Sequence, residues 1–148
     1  MRSDSPLPAR LILREFQFHN DFPQVIDLWK NAGPGINVRR SDEKDEIVKK
    51  LERDPDLFLV AEIDEQIIGT VLGGFDGRRG MVYHLAVDNR YRKLGIGAAL
   101  MKELETRMKQ KGCIRSYLMV TRDNPEAIRF YKNSGWELMD LFTYGKDL

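Results

Sequence analysis

The stretch Met81-Val82-Tyr83-His84-Leu85-Ala86-Val87, followed by Asp88-Asn89-Arg90-Tyr91-Arg92-Lys93-Leu94-Gly95-Ile96-Gly97-Ala98, decides the fold of this chain. Val82, Leu85, Ala86 and Val87 form a mostly apolar, partly β-branched run between Gly80 and Asp88, the pattern of a strand buried on both faces. Beyond Ala98, Leu100, Met101, Leu104, Met108 and Lys111 recur at helical spacing, while Lys102, Glu103, Glu105, Arg107 and Lys109 fill the other face. A helix therefore starts near Gly95 and stops at Gly112. Between strand and helix, Arg92-x-x-Gly95-x-Gly97 puts two glycines where a helix N-terminus offers unpaired backbone N–H groups to an anion. With no side chains in the way, a phosphate reaches those groups and the helix dipole favours its charge, so pyrophosphate is the natural ligand. Taken alone, the same glycines also suit a plain strand-to-helix turn. They do not form the dinucleotide fingerprint, which needs a third glycine and an acidic residue about 20 positions later.

Outward from this unit, the 148 residues suffice for one domain with a real core, and no disulfide or metal is needed to hold it. The 24 basic and 23 acidic side chains give a formal net charge of +1, so no global field recruits nucleic acid or an anionic membrane. The single cysteine, Cys113, has no partner for a disulfide or zinc site, which fits a reducing, cytoplasmic setting. No apolar run approaches a membrane span, and residues 1–10, with Pro6 and Pro8, read as a frayed tail before a single domain over 11–148.

Leu11 to Phe16 reads as a first strand, and Asn20-Asp21-Phe22-Pro23 as the cap and first turn of a helix carrying Val25, Ile26 and Trp29 inward up to Ala32. After the Gly33-Pro34-Gly35 break and a loop with Arg39 and Arg40, Asp42-x-x-Asp45 opens a second helix with Ile47, Val48 and Leu51 on its apolar side. Leu57 to Ile63 and Ile67 to Gly74 form a hairpin, which the loop Asp76 to Gly80 extends into the central strand. Ser116 to Thr121 is a strand that must run parallel to its predecessor, because a helical crossover joins them. Asn124-Pro125-Glu126 opens a last helix closed by Ser134-Gly135, and Trp136 to Lys146 supplies one strand or two. The expected class is α/β, a mixed central sheet in the order β-α-α-β-β-β-α-β-α-β-β with helices on both faces.

Leu85-Ala86-Val87-Asp88 with Tyr91-Arg92-Lys93-Leu94-Gly95-Ile96-Gly97-Ala98 resembles the acyl-CoA signature of the GNAT superfamily of N-acetyltransferases. Asn124-x-x-Ala127-x-x-Phe130-Tyr131-x-x-x-Gly135-Trp136 is similar to that family's later helix, at the expected distance. The resemblance runs nearly the length of the chain and is nearest to small single-domain bacterial members, some of which acetylate ribosomal-protein N-termini. It implies acetyl-CoA as cosubstrate, no metal, and an amine acceptor, either a protein N-terminus or lysine or a small molecule. It also implies roles. The backbone of Leu85, Ala86 and Val87 pairs with the pantetheine arm, and amides from Leu94 through Gly95, Ile96 and Gly97 to Ala98 hold the pyrophosphate with Arg92 and Lys93 nearby. Asn124 bonds the pantetheine side, and Tyr131 directs its phenol at the thioester sulfur as general acid.

The proton acceptor stays open. Several family members use a strand glutamate, and Met81-Val82-Tyr83-His84 carries no carboxylate. His84 has suitable chemistry, although strand alternation can turn it from the cleft, and a water chain ending at Tyr83, His84 or Asp88 is the alternative. Asp88 most simply caps the turn. The resemblance implies that the loop of Arg39 and Arg40 borders the acceptor groove, where they can hold an acidic acceptor, against the plainer reading as solvated loop charges; Arg78 and Arg79 read as solvent-facing hairpin charges. Trp29 and Cys113 read as core residues. A non-catalytic acyl-CoA sensor is the competing function, and the chain reads as monomer or homodimer.

Overall fold

The computed structural model describes residues 6–148 as a mixed sheet of five strands covered by helices on both faces. The elements are β1 (Ile12–Glu15), α1 (Phe18–Lys30), α2 (Lys44–Arg53), β2 (Phe58–Ile63), β3 (Gln66–Phe75), β4 (Gly80–Val87), α3 (Ile96–Gln110), β5 (Ser116–Leu118) and α4 (Pro125–Asn133). The strands lie in sequence order; β1 to β4 pair antiparallel and β4 pairs parallel with β5, as the crossover through α3 requires.

Two cores result. On one face α3 buries Leu100, Met101, Leu104 and Met108 against Leu59, Val71 and Val82; on the other, α1 and α2 bury Val25, Trp29 and Ile47 against Phe58 and Val60. The α3 face is close-packed because β3 carries glycine where the helix lies on it. A Cβ at Gly73 would stand 2.5 Å from Leu104 Cδ1, and one at Gly69 3.1 Å from Leu100 Cδ1. The helix dictates the glycines.

Four boundaries differ from the sequence reading. Helix α1 begins at Phe18, not at Asn20, and Pro23 lies inside it. The cause is Asp21, which is buried and receives Arg14 through two bonds of 2.7 and 2.9 Å and the Gln17 N–H at 2.7 Å. Burial pushes its carboxyl up, but Arg14 and the Gln17 N–H outweigh this and hold it below the usual range. Arg14 also meets Glu62 at 3.0 Å, joining β1, β2 and α1. Helix α2 starts at Lys44, after a 3₁₀ turn over Arg40–Asp42, so Asp42 is free of capping that helix, and Val48 is exposed. β5 stops at Leu118, short of Thr121.

Finally, no strand is present over residues 136–148. Leu138, Phe142 and Tyr144 there are 102%, 80% and 90% exposed, so no packed face stabilises pairing, and residues of strand type stay unpaired without one. Of the expected tail over 1–10, residues 1–5 lie outside the described part. Leu11 N–H donates to Pro8 O at 3.1 Å and Arg10 pairs with Asp64 at 3.0 Å.

Gly73→Val is expected to cost about 1–3 kcal/mol, because its Cβ alone would meet three side-chain atoms of the fully buried Leu104 within 3.3 Å. Urea unfolding checks this; an unchanged midpoint would show that α3 does not rest on β3 as described.

Candidate active site

The site is built on one extra residue in β4. Thr70 pairs with Ala86 and Leu72 with Tyr83, so Val71 alone faces both His84 and Leu85, a β-bulge. His84 takes φ +46°, a left-handed conformation that costs a non-glycine residue about 1–2 kcal/mol. Buried polar contacts hold it there. The Thr70 hydroxyl donates to the His84 carbonyl at 3.0 Å, and Trp29 Nε1–H donates to the Thr70 oxygen at 2.8 Å. Trp29 and Thr70 are fully buried, and the Trp29 and His84 rings lie 4.5 Å apart.

The imidazole is fixed at its far end too. His84 Nε2 lies 2.9 Å from Asp42 Oδ1, and Asp42 Oδ2 accepts the Arg39 N–H at 3.0 Å. Asp42 is 4% exposed. Burial pushes its carboxyl up, yet the bonds from His84 and Arg39 prevail and hold it below the usual carboxylate range, so it stays an anion.

The bulge has two consequences. It resets side-chain alternation, so that Tyr83 and His84 both line a cleft of about 710 Å³ on the α2 face, with Asp42, Lys50, Asp54 and Tyr117. Burial pushes the Tyr83 phenol up, keeping it protonated. The bulge also parts β4 from β5: their pairing ends at Val82 and Leu118, while β4 runs on to Val87. Since Asp88 N–H donates to Ile68 O on β3 at 2.8 Å, alternation turns the N–H groups of Leu85 and Val87 the other way, into the gap. Among the described residues no strand pairs with that edge.

The edge leads into the glycine turn. Asp88 caps it by accepting the Arg90 N–H at 2.9 Å. Lys93 and Gly95 have φ +62° and +83°, and α3 then begins at Ile96 with its first N–H groups lacking helical acceptors. A Cβ on Gly97 would lie 3.7 Å from Phe130 and 3.8 Å from Val87, so a larger side chain would fill the space between β4 and α4. Arg92 points away from the turn, donating to Ala32 O at 2.7 Å and Val87 O at 3.2 Å. Its side chain clamps α1 to the strand end, and Lys93 remains the cation beside the turn.

Helix α4 stands on the opposite face from the cleft. Asn124 caps it, accepting the Ala127 N–H at 3.2 Å, and donates to Pro34 O at 3.1 Å. The side chain expected to bond the cofactor thus also ties α4 to the loop after α1. Tyr131 packs edge-on to Phe130 and Trp136, and burial pushes its phenol up to about 12. The other expectations separate. Trp29 and Cys113 are buried, Arg39 and Arg40 are exposed outside the cleft wall, and Arg79 is part of that wall. Asp42 escaped the sequence reading because it resembles a helix cap. Thr70, a polar residue in the apolar run Ile67 to Gly74, was the legible signal for the buried network.

The chain matches the acetyltransferase (GNAT) family over residues 22–136. An acetyltransferase of Pectobacterium atrosepticum is 41% identical over 129 residues, 87% of this chain and 90% of that protein. One of Sodalis glossinidius is 40% identical over 131 residues, 88% of this chain and 91% of that protein. The PaiA N-acetyltransferase of Thermoplasma acidophilum, solved in complex with coenzyme A, shares the fold with a TM-score of 0.75 at 24% identity, covering 89% of this chain and 92% of that one. Arabidopsis thaliana Naa50, solved with a bisubstrate analogue, does so with a TM-score of 0.72 at 22% identity, covering 89% and 86%. With the family match spanning the bulged strand, the glycine turn and the helix of Tyr131, the chain belongs to the acetyltransferase (GNAT) family.

Proposed function

We propose that the protein is an acetyl-CoA-dependent N-acetyltransferase in which a primary amine enters the cleft on the α2 face and attacks directly in a ternary complex. The observation that carries this reading is the bulge at His84, which sends Tyr83 and His84 into one cleft and frees the edge of β4 leading to the turn. The residues present fit the cosubstrate. An unpaired strand edge suits an amide-bearing arm, the start of α3 suits a pyrophosphate, and the space at Gly97 would close if a large side chain stood there.

Acetyl-CoA, when bound, supplies an acetyl group activated as a thioester. Amides from Leu94 to Ala98 hold the pyrophosphate, Lys93 adds charge, and Arg92 braces the turn from behind. The N–H groups of Leu85 and Val87 bind along the gap and donate to a carbonyl oxygen placed there, where fixed backbone dipoles stabilise developing negative charge without reorganising. His84 takes the proton an ammonium must lose before attack, and Asp42 acts as a positioning residue that orients the ring. Tyr131 donates its O–H to the sulfur. With its phenol near 12 against about 8.5 for a thiol, full proton transfer runs uphill, so hydrogen bonding is its contribution. The acceptor is a protein N-terminus or lysine, which an open cleft beside β4 admits.

Calorimetric titration with acetyl-CoA is expected to show binding by the wild-type protein and none by Gly97→Glu, whose side chain closes the space and repels phosphate. Absence of binding by the folded wild type would overturn the reading. Tyr131→Phe is expected to keep acetyl-CoA affinity and lose at least about tenfold in kcat with an amine acceptor. Unchanged turnover would remove Tyr131 from the chemistry.

A further inference from the structure

At the end remote from His84 the acceptor cleft is lined by a cation without an ion-pair partner among the described residues. Arg79 lines the cleft, and its guanidinium carbon lies 5.7 Å from the centre of the Tyr117 ring, itself part of the lining. Arg115, outside the lining itself, approaches the same ring at 5.6 Å and donates to Met139 Sδ at 3.4 Å. Both arginines are exposed, and among the described residues neither meets an acidic side chain in an ion pair.

Asp42 and Asp54, two carboxylates of the cleft, are already engaged, and Asp76 is engaged through one oxygen. Asp42 holds His84 and the Arg39 N–H. Asp54 pairs with Lys50 at 2.9 Å and stands 3.7 Å from Arg53. Asp76 spends Oδ1 on the N–H groups of Arg78 and Arg79, at 2.7 Å each. The cleft therefore has an imidazole and a buried carboxylate at one end and the Arg79 guanidinium at the other, with Arg115 at the rim beside the Tyr117 ring. Tyr117 is in register with Met81, three residues before His84, so at the rise of a strand the ends are about 10 Å apart.

We propose that the arginine pair on Tyr117 is an anion subsite selecting the acceptor, a peptide N-terminus carrying a carboxylate on its second or third residue. This rests on the acetyltransferase reading and adds the substrate class to it. With the terminal amine at His84, an extended peptide advances about 3.3 Å per residue toward Tyr117 and reaches the arginines with an acidic side chain at those positions. A guanidinium resting on a ring keeps its N–H edge free for two-pronged carboxylate recognition. Arg39 and Arg40, the candidates for this task in the sequence, stand next to Asp42 at the His84 end, where the Arg39 N–H is bound, and not beside Tyr117.

The test uses two otherwise identical pentapeptides, one with glutamate and one with glutamine at the second and third positions. Acetylation is measured for the wild type, Arg79→Gln, Arg115→Gln and the double variant, and peptide binding is measured calorimetrically in the presence of coenzyme A. The wild type is expected to favour the acidic peptide at least about tenfold in kcat/KM, through KM. The preference should shrink with added salt and fall below about twofold in the double variant. Equal use of the two peptides by the wild type, or a preference that survives the double substitution, overturns the subsite while leaving the acetyltransferase reading intact. Preferential binding of the acidic peptide without turnover of either peptide upholds the subsite and counts against the transferase.

Discussion

One hydrogen bond, from the buried Thr70 hydroxyl to the carbonyl of His84, holds the only residue of β4 that stands in the left-handed region. Much else in the site depends on it. The bulge it stabilises puts Tyr83 and His84 on one face, ends the pairing with β5 at Val82 and leaves the Leu85 to Val87 edge open. The strain at His84 is offset by the network from Trp29 to Thr70 and by the contact with Asp42, which places a strained residue where the chemistry is proposed.

The rest of the fold serves that distortion. Glycines on β3 let α3 lie close on one face, which brings its N-terminus to the end of β4. Arg92 and Asn124 then tie the region after α1 to the strand end and to α4, through Ala32 O and Pro34 O. Both are positioning contacts. They set the borders of the gap, while backbone amides and the space at Gly97 are left to meet a ligand.

Much of this was legible in the sequence because it rests on local rules. Glycine at the start of α3, Asn124 with Pro125 at the start of α4, and the apolar spacing of Leu100, Leu104 and Met108 all read directly from the chain. What stayed hidden depends on contacts distant in sequence. Asp42 resembles a helix cap until the sheet brings His84 to it across 42 positions, and Arg92 resembles a phosphate ligand until Ala32, 60 positions away, claims its guanidinium. Strand alternation pointed His84 ambiguously because a bulge shifts the period by one residue. The terminal strands failed for a different reason: beyond Trp136, which packs on Tyr131, residues 137–148 are exposed and have no face to bury.

The central claim is that the parted edge of β4 and the start of α3 form one continuous binding surface for acetyl-CoA. Residue-resolved amide hydrogen exchange, with and without acetyl-CoA, tests it most directly. The account predicts new protection at Leu85 and Val87 and from Leu94 to Ala98, with little change at Ala86, whose N–H alternation turns toward β3. Protection that spares Leu85 and Val87, or that appears equally at Ala86, would contradict it.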